Sequence, residues 1–421
     1  MSRKMFNVFS KKFAAAAMVG TLVVSGALAG CSSDSGSGKD GKKVITVWGM
    51  GEEAKTLPKI ADEFEKENPD IDVKVQAIPW DQAHDKLLTA VASKKGPDVV
   101  QMGTTWIPEF ASANALLDLT KHTEKYPELA ADNFFEGSVE TTKYDDKVVG
   151  VPWYVDTRVL YYRTDLLEKA GFKEAPKTWD ELRDAAKKLR ARGDDKYGIS
   201  IDTNEQSLSF MLARQNGSKL IEGNKASFNE PEFVEAVEYL NGFFKDGSAP
   251  VDLGLDIIQA FKGDGILPMF ISGPWMVKLI NDQSPELEGK WATAVLPAKE
   301  TNTSTLGGSD LSVFQYTKNK DEALKFLAYM SKPETQVKWL EMTNSLPANK
   351  EAWNDKQLQE NQYYKVFGEQ LENAQPMPVI KPFEKIAQDF LSRFEKIYRG
   401  GADIQEEMDA FDKEAEEILA K

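Results

Sequence analysis

Twelve side chains stand out by type and by position: Trp48, Glu52, Glu53, Trp80, Thr104, Thr105, Trp106, Trp153, Tyr154, Asp156, Glu205 and Trp275. Rings alternate there with carboxylates and hydroxyls, at the ends of strand-like runs and in the loops that follow. An indole offers a flat apolar face, a carboxylate accepts hydrogen bonds, and a hydroxyl does both. A sugar needs this combination, because its ring faces are apolar and its rim carries hydroxyls. Any one tryptophan fits a core equally well. The signal lies in the group.

Other chemistries find little support. Gly49-Met50-Gly51-Glu52-Glu53-Ala54 matches the G-x-G-x-x-A pattern of dinucleotide sites. A pyrophosphate would lie at the helix N-terminus, where Glu52 and Glu53 repel it. His84 and His122 are the only histidines and neither has metal-ligand spacing. Gly307-Gly308-Ser309-Asp310-Leu311 is not a nucleophile elbow. Asp145-Asp146 suits a turn better than a pair of glycosidase carboxylates. No metal and no cofactor is expected.

The elements that must position these residues follow a strand–helix rhythm. Val44–Trp48, Ile71–Val75 and Asp98–Met102 read as strands. Lys55–Asn68, Asp81–Ser93 and Ile107–Ala113 read as helices, the first stopped by Pro69. Such alternation predicts an α/β domain with a mostly parallel sheet. Lys147–Pro152 and Arg158–Tyr162 read as strands on either side of Trp153–Asp156. Thr178-Trp179-Asp180-Glu181 is a capping box opening a helix to about Arg192. Phe233–Lys245 is helical, Ala292–Leu296 and Leu311–Gln315 are strands, and the chain beyond Lys320 is nearly all helix. Asp403–Lys421 reads as an amphipathic helix with a solvated acidic face.

The 421 residues suit two domains, each with a sizeable core. Arg3, Lys4, Lys11 and Lys12 precede an apolar run, Phe13–Ala29, that ends in Leu28-Ala29-Gly30-Cys31 and turns polar at once. This is the order of a secretory signal peptide over residues 1–30. Leu-Ala-Gly-Cys resembles the bacterial lipobox, in which the cysteine is lipidated. Cys31 is the only cysteine, so no internal disulfide can form. Residues 31–43 then form a lipidated start and a flexible tether. The net charge is −15, and losing the four leading cations makes it −19. A surface so acidic excludes nucleic acid as a partner.

From residue 44 onward the chain resembles the extracellular solute-binding proteins of sugar ABC transporters, the family that includes maltose-binding protein. The carriers are Gly96-Pro97-Asp98-Val99 with Trp106, Gly150-Val151-Pro152, Tyr161-Tyr162-Arg163-Thr164-Asp165-Leu166-Leu167 and Ala170-Gly171. Pro176-Lys177-Thr178-Trp179-Asp180-Glu181-Leu182, Gly273-Pro274-Trp275, Pro297 and Ala323-Leu324-Lys325-Phe326-Leu327 with Gln336 follow in order. The family implies a two-lobed periplasmic-binding-protein-like fold, each lobe a mostly parallel sheet flanked by helices, with a hinge between lobes. One lobe would hold 44–154 and 312–355, the other 155–311 and 356–421. It implies ligand contacts at Glu52, Glu53, Thr104, Thr105, Trp106, Asp156, Glu205 and Trp275, and Trp153, Tyr154, Gly308 and Asp310 complete the expected set. Ala387 stands where maltose binders carry an aromatic platform, which implies a different sugar or another ring, such as Phe383.

The expected protein is a non-catalytic, monomeric lipoprotein on the outer face of a bacterial cell membrane. It captures a neutral oligosaccharide and passes it to ABC permease subunits. A lipid-anchored glycan-degrading enzyme and a receptor for a phosphorylated polyol are the alternatives. The second would want arginines in the cleft, and Arg158 alone is near.

Overall fold

A computed structural model describes residues 41–51, 53–204 and 206–421. The expected signal peptide, the lipobox Cys31, Glu52 and Glu205 lie outside the described residues. Two sheets organise the chain. The larger has seven strands. Along its main path the order is Leu346–Pro347, Val151–Thr157, Ser304–Val313, Val99–Gly103, Lys43–Met50 and Ile71–Ile78, and Ala374–Pro376 pairs with the start of Ser304–Val313.

Helices Glu53–Glu67 and Trp80–Ser93 connect the first three strands of the chain, which therefore pair in parallel. Helix Glu53–Glu67 buries Leu57, Ile60, Ala61 and Phe64 against the sheet, the stripe its periodicity predicts. Asp98 opens the third strand and locks it to the first: its carboxylate accepts from the Thr46 amide at 2.7 Å, and also from Thr317 and Asn319. Gly96 lies against the Phe314 ring, where a Cβ would come within 2.8 Å. The Gly-Pro-Asp run thus does structural work.

The second sheet has Val159–Arg163 at its centre, with Met269–Ser272 and Trp291–Ala294 on either side, both antiparallel to it. The expected two-lobed α/β fold is present, but strand directions are mixed rather than mostly parallel. The cause is connectivity. Only Arg158 separates Val151–Thr157 from Val159–Arg163, so one ribbon passes from the first sheet into the second. The chain returns as Ser304–Val313, which must run antiparallel beside the outgoing strand. This return strand pairs on both sides within the first sheet, and the division drawn at 311 and 312 falls inside it.

Hydroxyls bind the two crossings. Thr157 Oγ1 donates to the Thr305 carbonyl at 2.8 Å. Ser304 Oγ accepts from the Arg158 amide at 3.1 Å and donates to the Arg158 carbonyl at 2.9 Å.

Helices Phe383–Gly400 and Ile404–Leu419 pack on the second sheet's side of the molecule with Phe210, Phe228, Phe233 and Trp179. Gly401 takes the left-handed conformation (φ 71°) that ends the first of them. Asp403 caps the second, whose Met408, Phe411, Ala415 and Ile418 are core. The capping box forms with a variation. Thr178 accepts from the Glu181 amide, while Glu181 Oε2 accepts from the amide of Lys177, one residue before the cap. Trp179 is buried, donates to Gln215 at 2.7 Å and stacks on Tyr239.

Candidate functional site

The carboxyl ends of the parallel strands carry the first group of expected residues. Gly51 turns the chain after Lys43–Met50 with φ 67°, and a Cβ there would meet the Trp80 indole nitrogen at 2.5 Å and Glu53 Oε2 at 3.0 Å. Glycine is what lets Trp80 and Glu53 converge. Thr104, Thr105 and Trp106 follow strand Val99–Gly103, and Trp106 caps helix Ile107–Ser112. The Trp106 ring meets Trp80 and His84 edge to face, with centroids 5.4 and 5.3 Å apart. His84 Nε2 lies 2.7 Å from Glu109 Oε2. Both tryptophans remain partly open to solvent.

The second group lies where the ribbon crosses. Trp153–Asp156 is not a loop between strands but part of Val151–Thr157. Asp156 pairs with Arg158 at 2.5 Å, and its carboxylate lies over Gly307, where a Cβ would approach Oδ1 to 2.8 Å. Gly308 has φ 125°, and a Cβ there would meet the Tyr154 carbonyl oxygen at 2.2 Å. Across the crossing, Trp275 opens helix Trp275–Gln283. Its ring folds back on Gly273, where a Cβ would meet it at 2.1 Å, and the Arg158 guanidinium lies over it, 4.9 Å from the centroid. Tyr161 donates its hydroxyl to the Gly273 carbonyl at 2.6 Å and fixes that loop from below.

Tyr154 joins the two groups. Burial pushes its phenol well above the usual range, and the Glu53 and Asp156 carboxylates push it further. Gln101 holds this arrangement. Its carbonyl accepts from the Met50 amide at 2.6 Å, and its amide donates to Tyr154 at 3.1 Å and Ser309 at 3.0 Å. Both donors and one of its two acceptor positions are used at a point with no exposure. Sequence reading missed Gln101 and gave Arg158 no role; glutamine in an apolar strand was the one available sign.

Other expected residues sit elsewhere. Trp153 is buried against Trp339, with centroids 4.7 Å apart. Asp310 is buried and turned toward Thr141, and burial raises its carboxyl well above the usual range. Phe383 and Ala387 both face the second core with no exposure, so Phe383 supplies no platform in place of the missing ring. Both strands are packed on both faces at these positions, so no alternation separates a site face from a core face there.

Thr105 Oγ1 donates to Glu384 Oε1 at 2.5 Å, joining the loop after a first-sheet strand to the helix packed on the second. A separate recess of about 510 Å³, lined by Glu174, Lys177, Glu300 and Thr301 among others, borders the start of helix Trp179–Arg190 and contains none of the rings above. Among the described residues no cluster of His, Cys, Asp or Glu could hold a metal, and no helix is long and apolar enough to cross a membrane.

This geometry has close parallels among known proteins. The sugar-binding protein MalE of Xanthomonas citri superposes with a TM-score of 0.82 at 34% identity, over 90% of this chain and 98% of that one. A Listeria monocytogenes ABC substrate-binding protein solved in complex with cycloalternan gives 0.82 at 26% identity, over 90% and 99%. In sequence, the arabinooligosaccharide-binding protein of Bacillus subtilis is 27% identical over 84% of each chain, and the galactooligosaccharide-binding protein of the same organism 25% over 92% of each. Residues 49–337 match the family model of bacterial extracellular solute-binding proteins. The fold of two sheets joined by crossing strands is thus shared, and the chain belongs to the bacterial extracellular solute-binding protein family.

Proposed function

We propose that this protein captures a neutral oligosaccharide between its two lobes and delivers it to the permease of an ABC importer, without catalysis. The observation that carries this reading is that Gln101 ties the end of the first strand, next to Gly51 and Glu53, to Tyr154 on the strand that bears Asp156, and that Arg158 joins Asp156 to the Trp275 ring. Carboxylates accept from sugar hydroxyls, and the rings cover apolar sugar faces. The oligosaccharide binders named above support the same class of ligand. Arg158 is engaged by Asp156 and Trp275, which favours a neutral ligand over a phosphorylated polyol. Thr104, Thr105, Glu52, Glu205 and Gly308 complete the proposed contacts. Cys31 carries the lipid anchor, residues 1–30 are removed, and the mature protein works as a monomer outside the cell membrane.

A thermal-shift screen of neutral oligosaccharides tests it. A ligand at a hundred times its Kd adds about 2.7 kcal/mol to the unfolding free energy, and the melting temperature rises. The same mixtures, held and analysed by chromatography, should contain no shortened sugars. Stabilisation by a phosphorylated polyol alone, or the appearance of cleavage products, rejects the proposal.

A further inference from the structure

We infer that Arg158 is a positioning residue that holds Asp156 and Trp275 in one arrangement for ligand capture, an inference that rests on the capture reading above. Arg158 is the single residue between the strand of the first sheet and the central strand of the second. Its backbone cannot drift, because the buried Ser304 hydroxyl engages both its amide and its carbonyl. Its side chain is only 13% exposed. From this fixed point the guanidinium reaches two ways. Nη1 meets Asp156 Oδ1 at 2.5 Å, and the guanidinium carbon lies 4.9 Å from the centroid of the Trp275 ring. One partner ends a strand of the first sheet; the other begins a helix beside the second.

Both partners also touch glycine: Asp156 lies against Gly307 and the Trp275 ring against Gly273. Each therefore contacts a glycine backbone and the same guanidinium. Arginine suits this double task. Its plane stacks on an aromatic face while its fork bonds a carboxylate, and lysine can only do the second well. A carboxylate has about four acceptor sites, so Asp156 can serve Arg158 and sugar hydroxyls together. No contact between Asp156 and Trp275 is needed for each to depend on the other. The guanidinium links them, so displacing one loosens the other.

The test is a double-mutant cycle with Asp156→Asn and Trp275→Phe. Affinity for a neutral oligosaccharide is measured by calorimetry, first with Arg158 present and then in the Arg158→Met background. The two substitutions should be non-additive with Arg158 and additive without it. Arg158→Met alone should lower affinity about tenfold, as for one lost charge-assisted contact. Arg158→Lys should recover part of the loss from Asp156 but leave Trp275 loose. A ligand-free measurement keeps the inference separate from the capture reading. Acrylamide quenching of the Trp275 signal, taken as the difference from Trp275→Phe, should rise about twofold or more in both Arg158 variants, as a ring freed of its stacking partner becomes more accessible. If no oligosaccharide stabilises the wild type but quenching rises, the capture reading fails and the positioning role stands. Unchanged quenching, or the same coupling in the Arg158→Met background, overturns the inference.

Discussion

Trp275 touches glycine backbone and a guanidinium at the start of a helix, and it stays partly open. Such a ring contributes more to binding than to folding. Stacking on a sugar face is worth roughly 1–3 kcal/mol. Trp275→Ala should cost at least about tenfold in affinity and move the ligand-free melting temperature little; a buried core tryptophan would instead cost about 3–5 kcal/mol of stability. Calorimetry and melting on the one variant separate the two roles, and early melting with normal binding would sink the assignment. Asp310 predicts the opposite pattern. Its only resolved side-chain partner is Thr141, at 3.0 Å, and that hydroxyl also lies 2.7 Å from the Ser138 carbonyl. The hydroxyl has one proton for two acceptors, so the Asp310 carboxylate receives at most a shared bond from Thr141. Burial accordingly raises its pKa in the folded state. The stability tied to this group is therefore complete below the unfolded value of about 3.9 and is lost as pH rises toward the folded pKa. Asp310→Asn should stabilise the protein by about 1–3 kcal/mol at pH 7, with the gain shrinking toward pH 4. Urea titrations at several pH values check this, and a gain independent of pH would contradict the protonated acid.

At the scale of elements, the periodic helices were legible and the crossing strands were not. Leu57, Ile60, Ala61 and Phe64 recur at helical spacing, and Glu53–Glu67 forms within two residues of the expected bounds. Strand Ser304–Val313 was read only from Leu311 onward, because Ser304-Thr305-Leu306-Gly307-Gly308-Ser309-Asp310 has turn composition and no apolar alternation. Its glycines serve the close approach of Asp156 and of the Tyr154 backbone, a reason visible only with both strands in place. The direction of the second sheet was hidden for a similar cause, since it follows from the return of the chain and not from any residue pattern. The most specific motifs, Gly-Pro-Asp and the capping box, pointed correctly to the family yet act in packing, through Asp98 and Trp179. Glu53, Trp106 and Asp156 could be picked out as candidates by type and strand-end position; the hydrogen bonds of Gln101 and the contact of Arg158 with Trp275 could not, because those partners lie far along the chain. Gln101 yields a test. Gln101→Leu strips partners from the Met50 amide, the Tyr154 hydroxyl and Ser309 in a dry interior. Stranding such groups should lower stability by about 2–4 kcal/mol. Gln101→Glu supplies the acceptor but not both donors, and chemical denaturation should rank it between wild type and Leu.

For the whole molecule, attachment and closure are separable. Cys31 precedes the first described strand, and on the proposed lipid anchoring Cys31→Ser should move the protein from membranes to the medium while its melting curve and affinity stay as they were; retention in the membrane fraction would make the apolar run itself the anchor. Closure depends on contacts between the bodies built on the two sheets. One of these is the bond from Thr105 to Glu384, which spans them without help from a ligand. Hydrogen bonds to a charged group contribute about 1.5–3 kcal/mol when buried, and this one is partly exposed, so about 1 kcal/mol is the reasonable share. That is enough to change an open–closed ratio about fivefold. Thr105→Val keeps the side-chain volume and removes the donor. Its unliganded form should open, seen as a larger radius of gyration by small-angle scattering, and saturating ligand should return it to the wild-type value. Closure must then draw on the ligand's own binding energy, so affinity should fall by the same factor by which the closed population fell. Thr105 also stands among the proposed ligand contacts, and Glu384→Met, which leaves Thr105 in place but removes the acceptor, distinguishes the two effects. If Glu384→Met leaves both the scattering curve and the affinity unchanged while Thr105→Val weakens binding, Thr105 acts on the ligand directly and the bond across the lobes contributes nothing to closure.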